Sequence, residues 1–74
     1  MAKSTLPQRL GKAFRERREA LNLSQEAFAE RLGAHRTYYS ALERGKKNIT
    51  VTTLERVCKA LGVSMTDLLA DVEG

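Results

Sequence analysis

The spacing of small and apolar residues in segment 24–45 limits the fold of this chain more than any other feature. Counted from the second residue of the segment, apolar side chains occupy positions 4, 8, 10, 15 and 18: Phe28, Leu32, Ala34, Tyr39 and Leu42. Position 5 is Ala29, which is small enough for two helices to cross closely, and position 9 is Gly33, which tolerates the positive φ of a tight turn. The segment therefore predicts two short helices, about 25–32 and 36–44, in a helix-turn-helix.

Helical periodicity extends to both sides of this motif. Upstream, one apolar stripe predicts a helix from near Pro7 to about Ala20, and residues 1–5 form a flexible arm. Downstream, Thr50 can cap a helix that Gly62 ends. The upstream stripe comprises Leu6, Leu10, Ala13, Phe14 and Leu21, and the downstream stripe comprises Val51, Leu54, Val57, Cys58 and Leu61.

A last short helix is predicted through about Ala70. Ser64 with Asp67 three residues later resembles a capping box that would open it. No run alternates apolar and polar residues as a strand does. The fold class is therefore all-α, with a single compact five-helix domain over residues 1–74.

Charge is distributed unevenly along the chain. The net charge is +4, and eleven of the 13 basic residues lie in residues 1–47, against five of the 9 acidic residues. This balance favours an anionic partner bound by the first three helices.

Several classes of protein are not expected from this sequence. No apolar run approaches the ~18 residues of a membrane span, so the chain is predicted to be cytoplasmic, in the bacterial cytosol or nucleoid. The single Cys58 excludes an internal disulfide and is interpreted as a core residue. No metal spacing, glycine-rich phosphate loop or nucleophile with a base is evident, so we expect no enzyme, metal, cofactor or small-molecule ligand.

The basic second helix of the motif suits double-stranded DNA, because an α-helix fits the major groove. Inward Tyr39 and Leu42 set the rotation of this helix and leave four candidate base-contacting residues: Arg36, Thr37, Ser40 and Ala41. Arg36 is the strongest candidate, since its guanidinium can donate two hydrogen bonds to a guanine.

Phosphate contacts are expected around this helix. Gln25 lies at the amino end of the first motif helix, where side chain, free amides and helix dipole favour an anion. The other predicted phosphate-binding residues precede, lie on or follow the second helix: His35, Tyr38, Arg44, Lys46, Lys47 and Asn48.

The runs SQEAFAERLGAHRTYYSALERGKKN and LERVCKALGV closely resemble the Cro and phage-repressor (XRE) type of helix-turn-helix. The run HRTYYSALERGKKNIT is most similar to the controller proteins of bacterial restriction–modification systems. The resemblance implies a lambda-repressor-like domain that binds palindromic operators as a homodimer and regulates transcription, with RNA polymerase as a further candidate partner. It also matches Arg36 and Thr37 to base-contacting positions, with Ser40 and Ala41 next to them. The positions that match phosphate contacts are Gln25, Arg44, Lys47 and Asn48.

Two residues depart from the family pattern. Tyr39 stands where Ile or Val is usual, which implies either an enlarged core pocket or a hydroxyl that reaches the surface. His35 stands where Ser commonly caps the recognition helix, which weakens the cap and leaves an exposed loop histidine or a phosphate contact as alternatives. Glu43 is expected to pair with a helix-one arginine such as Arg15 or Arg18.

Segment 63–74 is the predicted dimerisation segment, because its short helix cannot bury all of its apolar residues on its own core. The predicted interface residues are Val63, Met65, Leu68, Leu69 and Val72. The same patch leaves open an antitoxin-like protein-interaction module. RNA binding has little support, because few aromatic residues are placed for stacking.

Overall fold

The computed structural model describes residues 4–73, and within that range every regular element is an α-helix. The predicted all-α fold with five helices is confirmed. The helices are α1 (Leu6–Ala20), α2 (Gln25–Leu32), α3 (Arg36–Glu43), α4 (Val51–Leu61) and α5 (Met65–Glu73). No helix in this described range is both long and apolar enough to cross a membrane.

Side-chain caps fix the helix starts. Thr5 accepts a hydrogen bond from the Gln8 amide at 3.3 Å, and the Gln8 side chain accepts one from the Thr5 amide at 3.0 Å. This capping box places Thr5 in the structured domain rather than in the predicted arm of residues 1–5. Residues 1–3 of that arm lie outside the described residues. Ser64 accepts from the Asp67 amide at 3.0 Å, as predicted, but α5 continues past Ala70 to Glu73.

The turn between α2 and α3 forms at Gly33, as the spacing predicts. Its φ of 76° lies in the left-handed region, and its amide donates to the Glu30 carbonyl. The next amide, that of Ala34, donates to the Ala29 carbonyl at 2.9 Å. These bonds satisfy the last carbonyls of α2 while the chain changes direction.

All five helices contribute to one core. Its largest fully buried side chains are Phe14, Phe28, Tyr39, Val57, Cys58 and Leu68. The buried position of Cys58 confirms its interpretation as a core residue, and burial raises the pKa of its thiol. The helix-turn-helix is covered by α1, which packs on α3, and by α4, which packs on α2.

The packing of α5 corrects the predicted dimer face. Leu68 and Val72 are both buried in the core of their own chain and are not available to a partner. The premise that α5 is too short to bury them is wrong, because residues four apart share one face of a helix, and α1 and α4 cover that face. Val63 and Met65 are half-buried against the core, and Leu69 remains 38% exposed.

Candidate nucleic-acid interface

The two motif helices cross over an aromatic contact. The rings of Phe28 on α2 and Tyr39 on α3 have centroids 4.9 Å apart and planes inclined at 50°. Tyr39 is completely buried, so the structure selects an enlarged core pocket over a hydroxyl that reaches the surface. This contact fixes the rotation of α3 and decides which of its residues face outward.

The outward strip of α3 is narrower than the sequence indicates. Arg36 and Thr37 are exposed, and Tyr38 and Ser40 are half-buried. Ala41 is only 7% exposed, so its prediction as a base-contacting residue is wrong. The reason is that α3 packs against both α1 and α2, which together cover more of its circumference than one neighbour would.

His35 caps the recognition helix with its ring. The Nδ1 atom accepts a hydrogen bond from the Thr37 amide at 3.1 Å, so the expected weakness of this cap is corrected. Because Nδ1 accepts this hydrogen bond, the ring nitrogen that is left to donate is Nε2. The exposed His35 side chain thus presents a fixed N–H donor beside Arg36.

A buried ion pair lies behind the interface, and it resolves the choice between Arg15 and Arg18. Arg18 donates from Nε to Glu43 Oε2 at 2.6 Å and from Nη2 to Oε1 at 3.1 Å. Its Nη1 also donates to the Leu23 carbonyl at 2.7 Å, one residue before the N-cap of α2. Arg15 instead faces Glu19 at 3.5 Å on the surface of α1.

Gln25 is hydrogen-bonded to the same ion pair. The prediction of Gln25 as a phosphate ligand did not include this contact. Its Nε2 donates to Glu43 Oε1 at 2.9 Å, and the side chain is half-buried. One amide N–H is therefore already used, and the second is left for another acceptor. In the sequence, Glu43 is visible only as part of the ERG run at residues 43–45. Nothing in that run indicates that the start of α2 approaches the end of α3.

Burial and hydrogen bonding compete in this network. The side chains of Arg18 and Glu43 are 9% and 2% exposed. Burial by itself would raise the pKa of Glu43, but the polar groups around the carboxylate, above all the hydrogen-bonded Arg18, outweigh it and lower that pKa. The Tyr39 hydroxyl lies beside the pair without a hydrogen-bond partner of good geometry, and burial, reinforced by Glu43, raises the pKa of that phenol.

The remaining predicted phosphate-binding residues lie together after the recognition helix. Arg44 is the C-terminal cap of α3, which ends at Glu43, and Gly45 follows with a φ of 71°. Arg44, Lys46, Lys47 and Asn48 are all exposed. Within residues 4–73 no cluster of three His, Cys, Asp or Glu side chains is arranged to hold a metal ion.

A recognition helix with Arg36 and Thr37 exposed at its start and cations after its end, held across α2 behind a glycine turn, is the geometry of a helix-turn-helix DNA-binding domain. A family model for the helix-turn-helix matches residues 14–68, and the chain belongs to this family. Among curated proteins it is similar to the control protein C.MunI of Mycoplasma sp, with 42% identity over 57 residues that cover 77% of each chain.

Solved structures of related regulators have the same fold. The clp gene regulator ClgR from C. glutamicum superposes with a TM-score of 0.94 at 34% identity, over 99% of this chain and 94% of that one. The restriction–modification controller C.Esp1396I, solved as a tetramer in complex with its natural 35 base-pair operator, gives a TM-score of 0.82. That match has 28% identity and covers 97% of this chain and 100% of the other. The chain is therefore related to DNA-binding controllers of transcription.

Proposed function

We propose that this protein is a sequence-specific transcription regulator that binds a palindromic operator as a homodimer. The observation that carries the proposal is the exposed strip at the start of α3, where Arg36 and Thr37 project from a helix covered on its other sides. Major-groove recognition uses residues at this place in a recognition helix. The operator complex of C.Esp1396I supports the proposal by similarity.

Sequence discrimination belongs to the first turn of α3. Arg36 is exposed and can donate two parallel hydrogen bonds to O6 and N7 of a guanine, which discriminates by about 1–3 kcal/mol. Thr37 offers a hydroxyl and a methyl group, and half-buried Ser40 offers a hydroxyl one turn later.

Phosphate contacts flank this turn on both sides. Gln25 offers its second amide N–H at the start of α2, and His35 offers its Nε2 N–H. Exposed cations at the end of α3 neutralise the DNA backbone and make binding salt-dependent. These residues are Arg44, Lys46 and Lys47, with Asn48 beside them.

The assay is fluorescence anisotropy on duplexes selected from a random pool, with an unrelated duplex as the comparison. Arg36→Ala is expected to reduce the preference for the selected duplex, since it removes a base contact. Lys47→Ala is the matched control, because loss of a phosphate contact weakens binding to both duplexes alike and lowers the salt slope by about 1. Equal loss on both duplexes for Arg36→Ala would contradict its role in base recognition.

Dimerisation is proposed through α5 and the segment that leads into it. After the burial of Leu68 and Val72, the apolar residues open to a partner are Leu69 and the half-buried Val63 and Met65. A two-fold dimer would space its recognition helices by about 34–36 Å, one turn of DNA. The reduced patch also gives less support to an antitoxin-like module that docks a separate protein.

Sedimentation velocity tests the interface. Leu69→Glu is expected to shift the protein from dimer to monomer, because a charge would be buried at the contact. Leu21→Glu is a matched control, since Leu21 is 42% exposed at the end of α1. A Leu69→Glu protein that remains as dimeric as the parent would place the interface elsewhere.

Control of a restriction–modification system is the narrower form of the proposal. Similarity to C.MunI and C.Esp1396I supports it. An adjacent methyltransferase and endonuclease gene pair, with the selected operator upstream, is the expected finding. Their absence would reduce the proposal to a general transcription regulator.

A further inference from the structure

Three helices meet at one polar network behind the proposed DNA-binding face. Arg18 comes from the last turn of α1, Gln25 is the first residue of α2, and Glu43 is the last residue of α3. Glu43 accepts two hydrogen bonds from Arg18 and one from Gln25. The network therefore joins the side chain at the start of α2 to the end of the recognition helix.

We infer that Glu43 is a positioning residue for DNA binding, which holds the Gln25 amide so that its second N–H donates to a phosphate oxygen. The inference rests on the proposed function. It assigns a role in binding to a buried carboxylate that itself touches no DNA.

The geometry of a primary amide supports this role. Nε2 carries two hydrogens in one plane, so a hydrogen bond from one of them to Glu43 fixes the direction of the other. A free glutamine side chain would lose rotamer freedom when it binds a phosphate. Gln25 has already lost that freedom on folding, and pre-organised donors bind more tightly for this reason.

Helix geometry adds donors at the same place. The amides of the first turn of α2 have no partner within the helix, and Ser24 satisfies only that of Ala27, at 3.0 Å. The backbone amide of Gln25 thus lies beside its own side-chain donor at the positive end of the helix dipole.

The ion pair explains why a carboxylate is tolerated so close to a phosphate site. An unpaired Glu43 would repel the DNA backbone, but the two hydrogen bonds from Arg18 neutralise it. Arg18 and Glu43 carry opposite charges and are in direct contact, so the net charge of the pair toward DNA is close to zero. Glu43 can therefore accept from Gln25 without opposing the ligand that Gln25 binds.

The test measures whether the contribution of Gln25 depends on Glu43. Gln25→Ala is made in the parent and in Arg18→Met/Glu43→Leu, which replaces the ion pair by apolar residues of similar size and leaves no lone buried charge. Affinity for the selected duplex is measured by anisotropy, and the fold of each variant is checked by thermal unfolding. Lys47→Ala, an exposed residue outside the network, is the control in both backgrounds.

Gln25→Ala is expected to weaken binding about tenfold in the parent, which corresponds to about 1.4 kcal/mol, and less than about twofold in the apolar background. Lys47→Ala is expected to cost the same factor in both. Equal losses for Gln25→Ala in the two backgrounds, or no loss in the parent, overturn the positioning role. A parent that binds no duplex refutes the proposed function itself, so the two failures are distinguishable.

A second measurement avoids the double variant and serves if it does not fold. In the parent chain, NMR resolves the two side-chain amide protons of Gln25. On addition of the selected duplex, the chemical shift of one amide proton is expected to change, while that of the proton hydrogen-bonded to Glu43 stays the same. Displacement of both resonances would show that Gln25 leaves Glu43 to reach DNA, and this overturns the inference.

Discussion

Gly11 marks the closest approach between α1 and α3, and its replacement by alanine tests the packing of the whole domain. An added Cβ would clash with the carbonyl oxygen of Glu43. It would also lie 2.5 Å from the carbonyl oxygen of Leu42 and 2.7 Å from the carbonyl carbon of Glu43. Ordinary contact begins at 3.4 Å, and these are backbone atoms that no rotamer change can move away. The two helices must therefore separate by about 1 Å in a close-packed interior.

The expected cost follows from two opposing effects. Overpacking of this kind destabilises by about 1–3 kcal/mol, and the double backbone clash places Gly11→Ala at the upper end. Alanine favours the helix by about 1 kcal/mol over glycine, so the net loss is about 2 kcal/mol. A domain of this size has a free energy of unfolding of roughly 4–11 kcal/mol, and the Tm is expected to fall by about 8–16 °C.

Urea unfolding followed by far-UV circular dichroism measures this loss. Lys12→Ala is the control, because Lys12 is the exposed neighbour on the same helix. Its effect is expected within about 0.5 kcal/mol of zero. If Gly11→Ala is as stable as the parent or more stable, helix propensity has prevailed and the tight crossing does not exist as described.

Three further predictions concern the side chains of Tyr39, His35 and Glu43. Tyr39→Phe removes a buried hydroxyl without a good hydrogen-bond partner, so the Tm should stay level or rise by the equivalent of about 1 kcal/mol; a clear fall would reveal a hydrogen bond. His35→Ala should lower the free energy of unfolding by about 0.5–2 kcal/mol, and His35→Asn should restore most of this loss. Equal stability of the parent and His35→Ala would show that the cap is dispensable. The pKa of Glu43 is lowered in the folded state, so the carboxylate contributes fully to the free energy of unfolding above its unfolded pKa of about 4.3. This contribution is lost as the pH falls from there through the lower folded pKa. Urea titrations from pH 7 to about pH 3 should therefore show a steeper acid loss for the parent than for Arg18→Met/Glu43→Leu, and parallel curves would contradict this.

Local features were predictable because each depends on residues within one or two helical turns. Ser24, Gly33 and Thr50 mark helix ends, and the structure has caps at each of them. The outward position of Thr37 followed from the inward position of Tyr39, since residues two apart on an α-helix lie about 160° apart around its axis. The uneven charge of the chain was also visible without coordinates.

The errors in predicted side-chain exposure share one physical cause. Periodicity gives the direction of a side chain relative to its own helix axis, but exposure depends on how many neighbours surround that helix. Ala41 is buried because α3 has two neighbours, and Leu68 and Val72 are buried because α5 docks on α1 and α4. Gln25 was correctly placed at a helix start, but its bond to Glu43 spans 18 residues of sequence.

The sequence by itself determined the five helices, the caps at Ser24, Thr50 and Ser64, the turn at Gly33 and the basic first half of the chain. Only the tertiary structure decided that Arg18 rather than Arg15 pairs with Glu43, that Gly11 lies against the α3 backbone, and that Tyr39 is wholly internal. Helix ends are set by nearby hydrogen bonds, whereas partners in a packed core are chosen by which helices cross and how closely. That choice is made by the chain as a whole.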